Sequence, residues 1–358
     1  MSLTSCLIRT AEHESFAVFV SPSTRALFGS IEGPVEWVEC PVSNEHVFRR
    51  IAFQQLRLPR LIRRSGIDVM CCLADVAPLA TTRPVVLKVN SLHHYVTPSA
   101  LGRARSAYRR LMIGASARRA ALVIANSTAT AGEIRRFLKV PAERLRLVYE
   151  AVDDTFEPLD DLAAVRSRLR QRYGIEGPYL LFVSVLYPYK NLDVAIRALS
   201  MVVQSGDFDG CLVIAGADPY RTIPASQALA TALAIGDRLR FVGDVSQADL
   251  RDLYSGAEAF IYPSASETFG KPVLEAMRCR TPVVASTAGS IPEIAGGAAL
   301  LFDPSDADAL AARLRQLFND PGLAHSLKEA GSARAASFSW RSVANGFRAA
   351  LHEAHSKR

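Results

Sequence analysis

At 358 residues the chain is long enough for two domains of ordinary size, each able to bury its own core. A hydrophobic share of 49% with 22% charged residues is that of a globular protein, and no apolar run approaches the ~20 residues that span a bilayer. The net charge of +7 is unevenly spread: residues 1–160 hold 21 Lys and Arg against 15 Asp and Glu, so the excess sits in the first half.

Glu12 and Glu14 follow soon after Arg9, which argues against a signal peptide and for a cytoplasmic protein. Six cysteines (Cys6, Cys40, Cys71, Cys72, Cys211 and Cys279) form no CxxC pair and no metal spacing. Several stand in strand-like apolar runs, as reduced buried thiols do, so neither a disulfide framework nor a bound metal is expected.

In chain order, strand-like runs fall at Phe16–Val20, Val35–Glu39, Asp68–Cys72, Val85–Val89, Leu122–Ala125 and Leu145–Tyr149, with helical stretches at about 47–65, 101–119 and 128–139. Strand alternating with helix predicts an α/β, doubly wound half. Between 49 and 119 there are 14 basic residues against two acidic ones, Asp68 and Asp75. The arginines, among them Arg49, Arg50, Arg57, Arg60, Arg63, Arg64, Arg103, Arg105, Arg109, Arg110, Arg118 and Arg119, recur at spacings that stripe the polar faces of two helices. Such a stripe suits an anionic membrane surface or a lipid-diphosphate acceptor; solvated helix faces without a partner are the plain alternative. No nucleic-acid partner is expected, because the stripe carries neither interleaved aromatics nor a binding motif.

Asp153–Asp160 reads as turn and linker. A second series of strands follows at Leu180–Ser184, Leu212–Ala215, Leu239–Val242, Ala259–Tyr262, Val283–Ala285 and Ala299–Phe302, and a last helix covers Trp340–His355. The expected organisation is therefore a first domain over 1–160, a second over 161–337 and a terminal helix over 338–358.

The densest chemical signal is Glu267-Thr268-Phe269-Gly270-Lys271-Pro272-Val273-Leu274-Glu275, two carboxylates eight positions apart around a glycine turn that opens a helix. The buried strand before it predicts that Thr268, Phe269 and Gly270 bring backbone amides to the carboxyl edge of a sheet, a place for an anion. A glycosidase acid and nucleophile pair fits poorly, since eight helical residues rise roughly 12 Å and hydrolase carboxylates stand only ~5–9.5 Å apart. Helix capping by Glu267 and a surface ion pair at Glu275 is the other reading of the same residues.

The run Ser266–Met277 followed by Thr281–Gly296 resembles the donor-site signature of the retaining GT-B glycosyltransferases of the glycogen-synthase-like group, family 4. The resemblance continues through Tyr179–Leu199, Leu212–Gly216, Phe241–Gly243 and Ala299–Pro304, so it covers the C-terminal half well and the N-terminal half more thinly. It implies two Rossmann-like domains facing a cleft that holds the active site, with the last helix packed back on the first domain. It implies a hexosyltransferase, of mannosyl or glucosyl type, using a GDP- or UDP-linked sugar without a metal. The acceptor would be a glycan or a lipid-linked glycan in surface polysaccharide synthesis, at the cytoplasmic face of the membrane. Lys190 would grip the diphosphate with the Thr268–Gly270 amides, Glu275 the ribose and Glu267 the sugar. Backbone near Gly243–Ser246 would read the base, and the Gly289-Ser290 turn would lie close to the phosphates. Glu293 reads as a cap for the helix after Pro292.

This sequence also departs from the family pattern. A glycine-arginine dipeptide usually follows the first strand of the donor domain, where Ser184-Val185 stand here. Arg280 occupies a helix exit usually given to glycine. The glycine-rich loop that normally opens the first domain is not matched, only the end of its helix, at Ser5–Ala11: either this start lies downstream of the true one or a piece that helps to hold donor and acceptor has been lost. Phe53–Pro59 and Ala125-Asn126-Ser127 still match. The usual His-Asp pair after the fourth strand reads Asn90-Ser91-Leu92-His93-His94, so His93 or His94 becomes the candidate for acceptor contact or for backing the reacting face, two surface histidines in a loop being the plain alternative. A non-catalytic nucleotide-sugar-binding remnant and a GT-B sugar epimerase are the alternatives these departures leave open.

Overall fold

The computed structural model describes residues 3–29, 31–42, 47–96 and 103–357. The chain divides into two compact units, Met1–Glu150 with Ser339–Arg358, and Ala151–Phe338. The division falls ahead of the 153–160 stretch because Phe156 is buried in the second unit, edge-on to Tyr254 at 6.0 Å, with its carbonyl accepting from Arg278 Nε at 2.9 Å.

The first unit opens with a helix, Leu3–Arg9, and then alternates strand and helix: β1 (Phe16–Val20), β2 (Val35–Glu39), β3 (Met70–Cys72), β4 (Val85–Val89), β5 (Leu122–Ala125) and β6 (Leu145–Leu147). All pairs are parallel, in a two-stranded sheet β1-β2 and a four-stranded sheet β3-β4-β5-β6. β5 reads as a continuous apolar run because both of its faces are covered, and β4 departs from one only at Lys88, which pairs with Glu150 at 2.9 Å. Strand β3 is shorter than the expected 68–72. Met70 N–H bonds the Pro84 carbonyl at 2.9 Å, and proline has no N–H with which to extend the ladder backwards. Strand β6 ends at Leu147 because its neighbour β5 stops at Ala125, whose carbonyl accepts the Val148 N–H at 2.9 Å. The long helix Arg103–Arg119 covers the described part of the expected 101–119, residues 101 and 102 being outside those described.

The last helix, Trp340–Ser356, belongs to this unit. Glu14 holds it through Arg348 Nε and His352 Nε2, both at 3.0 Å, and Arg146 Nε bonds Glu353 at 2.8 Å. Hydrogen bonds led by the Glu12 amide lower the Glu14 pKa to about 2. A depressed acid contributes stability above its ordinary pKa and loses it as pH falls through the folded value. Glu14→Gln is therefore expected to lower the unfolding temperature at pH 7, with the gap to wild type closing as pH drops from about 4.5 towards 2. A gap independent of pH would remove the carboxylate from that role.

The second unit is one parallel six-stranded sheet: β7 (Tyr179–Val183), β8 (Cys211–Ala215), β9 (Leu239–Gly243), β10 (Ala259–Tyr262), β11 (Val283–Ser286) and β12 (Leu300–Phe302), in the order β12-β11-β10-β7-β8-β9. The chain runs outward from β7 to β9 and then returns to lay β10 against the other side of β7. At that reversal the connections leaving β7 and β10 part to opposite sides, opening a crevice at their carboxyl ends. The helices Leu192–Gln204 and Ala307–Asn319 close the sheet with an apolar core that includes Phe182, Ile196, Leu199, Ile214, Leu310 and Leu314.

Candidate active site

Lys190 stands at the β7 side of that crevice, in the short turn Pro188–Lys190, and is only 8% exposed. The next residue, Asn191, is in the left-handed conformation (φ +53), which asparagine tolerates better than most side chains. Its amide donates to the Pro263 carbonyl at 3.1 Å and the Pro304 carbonyl at 2.9 Å, fastening the turn to the loops after β10 and β12. The Ala265 N–H completes the seam on the Tyr189 carbonyl at 2.8 Å.

Across the crevice the Glu267 carboxylate meets the Lys190 ammonium in a buried ion pair, the two side chains being 11% and 10% exposed. Tyr262, the last residue of β10 and fully buried, donates its hydroxyl to Glu267 Oε1 at 2.6 Å and accepts from Lys190 Nζ at 3.2 Å. Burial above all, and then the neighbouring carboxylate, holds the Tyr262 pKa well above the ordinary phenol value, so the proton stays on oxygen. Tyr189, whose ring centroid is 5.2 Å from Lys190 Nζ, is likewise raised by burial and by Glu267. Tyr189 stacks on Tyr187 at 5.4 Å, and Tyr187 meets Tyr220 at 5.2 Å, so an aromatic stair leads from the exposed Tyr220 to the ammonium.

The backbone of Glu267 is fixed from another loop. Its carbonyl accepts from the Ser290 N–H at 3.1 Å, and Gly289 packs so closely that a Cβ there would lie 2.1 Å from the same oxygen. Thr268 is half-buried, while the Phe269 side chain turns into the interior, edge-on to Phe338 at 6.0 Å. Gly270 caps the helix Lys271–Arg278 with φ +87, a conformation that favours glycine. Glu275, within that helix, accepts the Tyr254 hydroxyl at 3.0 Å. Burial raises its pKa, opposed by that hydrogen bond and by the Lys271 charge.

The structure thus brings Lys190 and Glu267 into contact and sets Glu275 in the helix opened by Gly270. Gly243 ends β9 with φ +71 and accepts the Gly216 N–H at 2.7 Å, at the same sheet edge but two strands from β7. Gly216 in turn admits no Cβ, which would fall 1.9 Å from the Ser184 carbonyl, so the loops after β7, β8 and β9 are stitched together. At the Ser184-Val185 position an exposed valine replaces the expected cation. Arg280 has φ +58 and pairs with Glu329, confirming a left-handed helix exit at a residue that is not glycine. Glu293 lies in the first turn of the helix Ile291–Ala295.

His93 lies in the first unit, opening the turn His93–Val96, half-buried and with its N–H on Ser91 Oγ at 3.3 Å; the His94 side chain lies outside the described residues. The basic stripe is partly spent on structure. Arg109 bonds Asp75 at 2.8 Å, Arg110 lies over the Tyr95 ring at 5.4 Å, and Arg119 bonds the Thr81 carbonyl. Arg49, Arg50, Arg57, Arg60, Arg63, Arg64 and Arg118 are exposed, whereas the side chains of Arg103 and Arg105 lie outside the described residues.

Sequence reasoning did not single out Tyr262 or Tyr254. Both are aromatic residues in apolar runs, and only their hydroxyls, which find Glu267 and Glu275, distinguish them from core residues.

Two family models match, one described as Glycosyltransferase Family 4 over residues 5–156 and one as Glycosyl transferases group 1 over residues 165–334. The chain is 30% identical to the O-antigen chain mannosyltransferase B of Escherichia coli over 221 residues, covering 62% of this chain and 58% of that protein. It spans less than two thirds of the length of the curated relatives it matches. The structure of Anabaena Alr3699/HepE in complex with UDP and glucose superposes with a TM-score of 0.75 at 20% identity, covering 98% of this chain and 95% of that one. Sucrose-phosphate synthase from Thermosynechococcus elongatus gives a TM-score of 0.76 at 21% identity over 99% and 92% of the two chains. At these identities the likeness is one of fold.

Proposed function

This chain belongs to the GT-B glycosyltransferases of family 4, and we propose that it moves a hexose, mannosyl or glucosyl, from a nucleotide-diphosphate sugar to a glycan acceptor with retention. The observation that carries this reading is the buried Lys190–Glu267 pair at the strand-order reversal, beside a glycine-opened helix. A leaving diphosphate needs positive charge where its own charge develops, and an ammonium at a helix N-terminus supplies it without a metal. Lys190 holds the diphosphate with the Thr268–Gly270 turn, Glu267 takes the sugar hydroxyls, and Glu275 takes the ribose. Gly243 flanks the base, and His93 or His94 serves the acceptor. The solved relative carrying UDP and glucose and the mannosyltransferase relative support the donor class and the polysaccharide setting.

A thermal-shift panel of UDP, GDP, ADP and CDP, followed by release of free nucleotide from UDP-glucose or GDP-mannose with a lipid-linked glycan, tests this. Donor binding with no release under any acceptor would leave a non-catalytic remnant, and turnover without acceptor an epimerase. Turnover is expected to survive EDTA.

Glu275→Gln separates binding from stability. An acid whose folded pKa is raised loses stability as pH climbs through that pKa, so the variant is expected to unfold at a higher temperature than wild type at pH 7. The difference should fade towards pH 4, and affinity for the nucleoside diphosphate should fall about tenfold, or about 1.4 kcal/mol. Unchanged affinity by calorimetry would remove the ribose role.

The first unit docks on the cytoplasmic face of the membrane through Arg57, Arg60, Arg63 and Arg64, which are exposed beside Leu56, itself 64% exposed. Each arginine near an anionic surface contributes about 1 kcal/mol. The triple variant Arg60→Glu, Arg63→Glu, Arg64→Glu is therefore expected to abolish salt-sensitive sedimentation with phosphatidylserine vesicles. Retained sedimentation would sink the docking role.

A further inference from the structure

In the free protein two of the three Lys190 ammonium donors are taken, one by Glu267 and one by the Tyr262 hydroxyl, so a diphosphate that draws the ammonium to itself draws it away from Glu267. When the ammonium turns to a more highly charged ligand, a carboxylate only 11% exposed is left in a weakly solvated place. A buried carboxylate stripped of its partner costs several kcal/mol unless another donor remains. The donor that remains is Tyr262, fixed at the end of β10, stacked on Phe260 at 5.5 Å and hydrogen-bonded to the same oxygen at 2.6 Å.

We infer that Tyr262 is a positioning residue for donor binding, whose hydroxyl keeps Glu267 paired and aimed while Lys190 transfers from the carboxylate to the diphosphate. The inference rests on the donor-site reading above and adds to it an exchange of partners. Three states follow. In the free protein Glu267 has an ammonium and a phenol; with a bare nucleoside diphosphate it has the phenol alone. With a sugar nucleotide it has the phenol and the sugar hydroxyls. Loss of the phenol therefore weighs most on the second state.

Calorimetry on Tyr262→Phe tests this, using whichever of UDP or GDP the wild type binds and the matching UDP-glucose or GDP-mannose. The bare nucleoside diphosphate is expected to bind about tenfold more weakly than to wild type, while the sugar nucleotide loses less than about threefold. In a Glu267→Gln background, where no charge is abandoned, Tyr262→Phe should change nucleoside diphosphate affinity less than about twofold. Equal losses for both ligands, or the same loss in the Glu267→Gln background, would mean that the ring merely packs, and would overturn the exchange. No nucleotide binding by the wild type would instead overturn the donor-site reading and the inference with it. Circular dichroism of each variant separates these outcomes from misfolding: if Tyr262→Phe does not fold, the Glu267→Gln variant alone should bind the bare nucleoside diphosphate at least as tightly as wild type, and a tenfold loss there would overturn the exchange.

Discussion

Lys190→Ala is expected to reduce hexosyl transfer about a thousandfold, the loss typical of removing one preorganised electrostatic group from a reacting centre. The same change should lower stability by about 3 kcal/mol, because it breaks a buried pair and leaves Glu267 with Tyr262 as its remaining hydrogen-bond donor among the contacts of its oxygen. The two effects have different origins and can be separated. Lys190→Met combined with Glu267→Gln removes the abandoned charge, so thermal unfolding should return towards wild type while turnover stays lost. If the single alanine variant retained more than a tenth of wild-type turnover, the diphosphate would be held elsewhere.

Gly289→Ala is expected to be nearly as damaging although residue 289 carries no chemistry. Its φ of +56 already disfavours any side chain, and a left-handed alanine costs roughly 1–2 kcal/mol. The new methyl would also sit 2.1 Å from the Glu267 carbonyl and 2.9 Å from its amide nitrogen, both backbone atoms with no rotamer to give way. The loop holding Glu267 must move, and displacement of a reacting group by about 1 Å costs on the order of a hundredfold in rate. Turnover should fall by that factor while nucleoside diphosphate affinity, which draws on Lys190 and Glu275 as well as on the neighbouring Thr268–Gly270 turn, falls less. Wild-type turnover in this variant would show that Ser290 and Gly289 do not fix the sugar-handling acid.

The two variants probe one design from opposite sides. Lys190 and Glu267 satisfy each other in the free protein, so the charges proposed to meet the donor are stored as an ion pair. The arrangement is anchored by residues from four loops: Asn191 after β7, Tyr262 and Glu267 around the end of β10, Gly289 and Ser290 after β11, and the Pro304 carbonyl after β12. Each loop is short, and each leaves the same edge of one parallel sheet.

The two α/β halves were legible in the residues alone, because apolar runs of four or five residues alternating with helical spacing have few other solutions. The sequence also singled out Glu267, Gly270 and Glu275 as candidate site residues, since a strand, a glycine turn and a helix in immediate succession carry their geometry locally, and Lys190 as a candidate from its place just after a strand. Its errors of strand length at Asp68 and Tyr149 arose where a ladder is cut by the neighbouring strand, information that no local window holds. No local window could show that the ammonium of Lys190 rests on Glu267, that Tyr262 and Tyr254 supply the hydroxyls, or that a Cβ at Gly289 would meet a carbonyl 22 positions earlier. These are contacts between elements that meet because β10 returns to lie against β7. Periodicity fixes which residues face a core, but strand order fixes which polar groups meet at the sheet's edge, and that order is set by packing of the whole unit.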